Sequence, residues 1–105
     1  MSYIKKLPAT NTITVLNALE LLKVQDLHDY EWAKANIKNY IVSAERKGLE
    51  KYGHTMDRDD LTRAEWMQHL VEKLCDGAQY ANRAGLGAVM KELLKIAVIV
   101  ENMKS

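Results

Sequence analysis

Phenylalanine is missing from this 105-residue chain, and cysteine and proline each occur once. The lone cysteine, Cys75, excludes an intramolecular disulfide and favours a reducing compartment, so the expected location is the cytoplasm. Without Phe, the core must be filled by Leu, Ile, Val, Met and Ala, with rings only from two Trp and five Tyr. Long apolar runs are lacking. The longest, residues 96–100, falls far short of the roughly 20 residues that span a bilayer, so no membrane partner is expected. Residues 1–8 hold no apolar signal core and are not read as an export signal. A surplus of one charge is lacking too. Fifteen basic residues meet fourteen acidic ones, for a net charge of +1. Nucleic-acid proteins usually present a one-sided basic surface. Here Lys5-Lys6 and Arg46-Lys47 are only small local patches, so nucleic acid is not an expected partner.

What is present suits a single helical domain whose core is modest for its length, a class that often adds an oligomer interface. Residues 1–11 read as an arm, with turn-prone Pro8 and Asn11. Residues 12–105 form the domain. Thr12 is placed to cap a helix over about residues 13–24, with Val15, Leu16, Leu19 and Leu22 as its apolar stripe. The β-branched residues 12–15 leave its start ambiguous. Asp26 or Asp29 is placed to cap a second helix near residues 29–51, with Tyr30, Ala33, Ile37, Tyr40, Ile41 and Ala44 inward. Gly48 offers this helix an early end. Residues 53–61 form a polar connector.

Thr62-Arg63-Ala64-Glu65 is a capping box, in which the threonine hydroxyl and the glutamate carboxylate each accept a backbone amide of the other residue. It opens a helix over residues 63–84, with Gly85 suited to a left-handed C-cap. The last helix, residues 86–104, is apolar around most of its circumference. Lys91, Lys95 and Asn102 share a narrow polar face, with Val98 and Ile99 beside it. Such a helix is central in a bundle or pressed against another subunit. The expected fold is all-α, about four helices in a small bundle completed by oligomerisation.

The third helix carries the chemistry. At about 100° per residue, Trp66, Met67, Leu70, Leu74, Ala78 and Ala81 fall on one side, the expected core side. Glu65, His69, Glu72, Lys73, Asp76, Tyr80 and Arg83 share the other. Such a face reads either as a solvated surface of ion pairs at three- and four-residue spacing or as a metal or nucleotide site. Glu72 and Asp76 are one turn apart and suit a hard cation such as Mg²⁺, which takes carboxylate oxygens and water.

The stretch from Glu45-Arg46-Lys47 through Lys51-Tyr52-Gly53-His54, Asp57-Arg58-Asp59-Asp60-Leu61-Thr62, Trp66-Met67-Gln68-His69-Leu70 and Glu72-Lys73-Leu74-Cys75-Asp76 to Tyr80 resembles small phage and prophage proteins of the MazG-like group. These belong to the all-α nucleoside triphosphate pyrophosphohydrolases. The resemblance covers residues 45–84. It implies a dimer or tetramer that holds Mg²⁺ on two carboxylate motifs and cleaves a nucleoside triphosphate to monophosphate and pyrophosphate. Two registers are open. In one, Glu72 to Asp76 stands for the first motif and Glu92-Leu93-Leu94-Lys95 for the second. In the other, Glu72 to Asp76 stands for the second, and the first comes from around Glu45 and Glu50.

In both registers Lys73 occupies a carboxylate position, and in the first Lys95 does as well. An ammonium group repels a cation. The metal candidates are thus Glu72, Asp76 and Glu92, and His69, Lys73, Tyr80 and Arg83 are candidates for nucleotide or phosphate binding. No catalytic residue is assigned. The expected function is a phage MazG-like protein that binds or hydrolyses nucleotides. The alternative is a non-catalytic interaction protein that inhibits a host enzyme or defence complex, which makes a host protein a candidate partner.

Other patterns point elsewhere. Asp57-Arg58-Asp59-Asp60 resembles the start of a calcium loop, but Thr62 and Gln68 stand where that loop needs Gly and Glu. The stretch reads instead as a helix entry with acids near a helix N-terminus. His28, His54 and His69 lack zinc-ligand spacing. Cys75 lies off the acidic face and is expected to be a small buried residue. Trp32 and Trp66 are expected in core or interface.

Overall fold

The computed structural model describes residues 7–24 and 27–105. Lys5-Lys6, the first part of the arm and the cap candidate Asp26 lie outside the described residues. The described chain is all-α, with helices α1 (Thr10–Leu21), α2 (Tyr30–Tyr52), α3 (Arg63–Arg83) and α4 (Gly87–Met103). None of them is long and apolar enough to cross a membrane. The helices pair as α1 with α2 and α3 with α4, in two compact units that meet in sequence at Asp59–Asp60.

In the first unit, α1 begins earlier than expected. Ala9 is the N-cap residue, and Thr12 lies inside the helix, where it is buried. The Thr12 hydroxyl donates to a Glu45 carboxylate oxygen at 2.5 Å, and the Ala9 amide donates to the same oxygen at 2.9 Å. Asp57 accepts from the amides of Thr10 (2.6 Å) and Asn11 (2.8 Å), one on each oxygen. These bonds, the one from Asn11 foremost, hold the Asp57 carboxyl below the usual carboxylate range against the opposing effect of burial. Asp57 therefore is an acid at a helix N-terminus, and the helix is α1.

The inward stripe of α1 is Thr12, Leu16 and Leu19, while Val15 stays exposed. In α2 no residue is buried. Tyr30, Ala33 and Ile41 are half-buried, but Ile37 and Tyr40 are exposed, contrary to the inward face expected of them, and Trp32 is exposed rather than in a core. Within this unit α1 covers only a narrow strip of α2. Asp29 sits at the N-cap of α2 without a side-chain cap bond. Gly48 does not end the helix, which runs on to Tyr52 and stops at Gly53, with φ 77°. Only glycine adopts that left-handed backbone without steric cost.

In the second unit the capping box is complete. Glu65 N donates to Thr62 Oγ1 at 3.1 Å, and Thr62 N donates to Glu65 Oε1 at 2.9 Å. At its other end α3 closes in a Schellman turn. Leu86 N donates to Ala81 O (2.8 Å), Gly85 N donates to Asn82 O (3.1 Å), and Gly85 takes φ 77°. The three-residue link, residues 84–86, sends α4 back along α3.

Buried and half-buried positions recur at Met67, Val71, Leu74, Ala78 and Ala81 on α3, and at Met90, Leu93, Ala97, Val100 and Lys104 on α4. Steps of three and four on both helices make a seam of the coiled-coil kind. Small residues sit at its centre, where Leu93 Cδ1 lies 3.5 Å from the position a Gly77 side chain would take. The open end is clasped by Lys104, whose ammonium donates to Gln68 Oε1 (2.5 Å) and Glu101 Oε1 (3.0 Å).

Candidate functional site

The capping box and seam fix how α3 is turned, and so which side chains it offers outward. With Leu74 pointing to α4, Glu72 and Asp76 lie about 160° round the helix, and His69, Lys73 and Tyr80 lie about 100–140° round on one flank. All five are exposed. The expected sharing of a face is therefore present, and it looks away from α4. Arg83 is exposed in the last turn, where a cation complements the helix dipole.

The ion pairs on this face, His69 with Glu72 and Lys73 with Asp76, have the expected three-residue spacing. Glu65 is engaged in the capping box, whose Thr62 amide and hydroxyl hold its carboxyl below the usual range. Glu72 accepts from Gln68 Nε2 at 2.9 Å and lies 4.0 Å from His69 Nδ1. Asp76 pairs with Lys73 at 3.9 Å, one turn back. The two ion contacts are long and solvent-exposed, so each contributes a few tenths of a kcal/mol at most, roughly the value of exposed helix pairs. Trp66 stands with its ring edge toward His69, centroids 6.3 Å apart, and is half-buried.

Glu92 projects from α4 about 140° away from Ala97, so it too looks away from the seam, as does Lys95. The unit does not converge Glu92 on Glu72 and Asp76. Among the described residues no group of three His, Cys, Asp or Glu side chains is placed to hold a metal ion. Glu45, needed by the other motif register, has one carboxylate oxygen engaged at the start of α1. Two adjacent carboxylates with an ammonium on one of them are a poor fit for Mg²⁺, which needs several hard oxygen ligands. No reaction step is therefore assigned to a metal.

Three departures from expectation stand out. Leu70 is 46% exposed, because the seam runs through Met67, Val71 and Leu74, leaving Leu70 on its edge. Cys75 is exposed, on the opposite edge. Gln68 and Lys104 emerge as the residues that order Glu72. The four-residue spacing of Gln68 and Glu72 is a readable signal, whereas Lys104 lies 36 residues from Gln68 and gives none. No family model matches the chain, and neither a curated protein nor a solved structure matches it.

Proposed function

We propose that the chain is a small MazG-like helical protein of phage or prophage type, acting in the host cytoplasm as a homo-oligomer. It binds a nucleotide through its phosphates on the outer face of α3, without turning it over on one chain alone. The observation that carries this reading is the exposed flank of His69, Lys73 and Tyr80, on which the Lys73 ammonium has only a long contact of 3.9 Å to Asp76. Lys73 is the phosphate donor. Tyr80, seven residues or about 10 Å further along the helix, supplies a ring for the base, and Arg83 adds a second cation. Hydrolysis by Mg²⁺ would require carboxylates beyond Glu72 and Asp76, supplied by Glu92 of another copy.

Calorimetric titration with a panel of nucleoside mono-, di- and triphosphates, with and without Mg²⁺, tests this. Binding is expected without metal, and Lys73→Glu is expected to weaken it about tenfold or more, the equivalent of about 1.4 kcal/mol. Unchanged affinity in Lys73→Glu, or no binding by any nucleotide, would sink the reading. Pyrophosphate release that appears only in Lys73→Glu with Mg²⁺ would mark the face as a remnant of a metal enzyme.

The second reading is a non-catalytic inhibitor of a host enzyme or defence complex. It is favoured by α4, where Val89, Ile96 and Met103 recur every seven residues and remain about half exposed. Sedimentation separates the two occupants of that stripe. Self-association that Ile96→Glu abolishes assigns it to a second copy, and a persistent monomer leaves it for a host partner.

A further inference from the structure

Helix α1 lacks everything a short helix normally carries for itself. Its N-cap is Ala9, which has no side-chain cap. Its first turn has no acid and its last turn no base. Thr10, Asn11, Thr12, Ile13, Thr14 and Val15 are weak helix formers. At 12 residues it is at the length where even favourable sequences are marginal alone in water.

What α1 lacks is supplied by distant side chains, each with the sign the helix dipole requires. Asp57, in the loop after α2, accepts from the amides of Thr10 and Asn11. Glu45, on α2, accepts from the Ala9 amide and the Thr12 hydroxyl. At the other end the Lys34 ammonium, also from α2, donates to the Glu20 carbonyl at 2.7 Å. Two anions therefore hold the N-terminal end and one cation the C-terminal end. The best-buried residues of the first unit, Ala9, Thr12 and Thr55, lie at the Asp57–Glu45 grip. Between the two ends the fit is loose, with Ile13 and Leu16 facing Ala35 and Lys38 across an open groove.

We propose that α1 is a conditional helix, a strap that is helical only while Asp57, Glu45 and Lys34 clamp its ends onto α2, and that it releases as a unit when the clamps are lost. Release uncovers the α2 surface between Lys34 and Glu45 without unfolding α2, whose own C-terminus is stopped locally at Gly53.

Amide hydrogen exchange on the full chain, read separately for each helix, tests this. Asp57→Asn keeps one acceptor oxygen where two are used, and it sets an NH₂ group against an amide. It is expected to lower the protection of α1 amides about fivefold, the loss of one end-cap. Lys34→Met acts on the opposite end, and the double variant is expected to lose the product of the two effects, about 25-fold, because the ends are far apart. Glu45→Gln retains an acceptor for both Ala9 and Thr12 but loses the charge, so it is expected to weaken α1 less than Asp57→Asn does. In all variants α2, α3 and α4 keep their protection. Wild-type protection of α1 in the double variant would overturn the proposal. So would α1 and α2 losing protection together, since the pair would then be one cooperative unit.

Discussion

Gly77 lies in the middle of α3 with a half-buried backbone, and replacing it with alanine probes the seam directly. Glycine in a helix interior costs about 0.8–1 kcal/mol relative to alanine. The new methyl group would meet Leu93 Cδ1 at 3.5 Å, an ordinary van der Waals separation. Half-burying one methyl adds about 0.4 kcal/mol. Gly77→Ala is therefore expected to stabilise the α3–α4 unit by about 1.2–1.4 kcal/mol, or a rise of roughly 5–10 °C in Tm for a domain of this size. Gly48, in the interior of α2, is the matched control, because nothing lies within 4 Å of the position its Cβ would take. Gly48→Ala is expected to give the helix-propensity gain alone, about 1 kcal/mol. Urea unfolding followed by circular dichroism reads both, and in a Leu93→Ala background the gain from Gly77→Ala should fall to the helix-propensity part alone. A Gly77→Ala chain less stable than wild type would refute the reasoning, since a neighbour would then sit closer to Gly77 than Leu93 does.

Further outcomes follow from the same unit. Thr62→Ala removes a hydroxyl that accepts the Glu65 amide and should cost about 1 kcal/mol in urea unfolding. Acid should act at the same place. The folded Glu65 carboxyl titrates below its ordinary value of 4.5, because Thr62 donates to its charged form. Its contribution is present above the ordinary value and is lost as pH falls through the lowered one. Glu65→Gln, which removes the titrating group, should therefore flatten the acid limb of the stability curve measured from about pH 5 downward, and an unchanged slope would count against the assignment. Lys104→Ala deletes the donor to Gln68 and Glu101 and should cost about 0.5–1.5 kcal/mol, with faster amide exchange at residues 101–104.

The parts of the structure that sequence anticipated are those whose causes are local. The Thr62–Glu65 box spans four residues, and Gly85 lies two residues beyond α3, so both ends of that helix are readable from neighbouring chemistry. The outer face of α3 was readable from helical periodicity. The start of α1 was not, because its caps are Glu45 and Asp57, 36 and 46–47 residues away. Gly48 misled for a related reason. Glycine weakens a helix without ending it, and the stop requires the left-handed residue that Gly53 supplies. Leu70 and Cys75 read as interior because periodicity shows an apolar side but not its width, and the α3–α4 seam buries only a strip of α3. On the candidate site, the residue types on the face and the spacing of Lys73–Asp76 and Gln68–Glu72 are legible, while the Lys104 bond to Gln68, 36 residues away, is not.

The three-residue turn around Gly85 also sets an order of events in time. Residues that face each other beside the turn, such as Ala81 and Met90, are nine apart in sequence, so they meet at little entropic cost. Gln68 and Lys104, at the far end, close a loop of 36 residues. Because closure entropy grows with separation while local contacts form fastest, the pair zips from the turn outward and the ammonium clasp forms last. On warming, the sequence reverses. The ends that part first are residues 63–68 and 101–104, the end that carries Trp66, while the stretch bearing Lys73, Asp76 and Tyr80 stays closed longest.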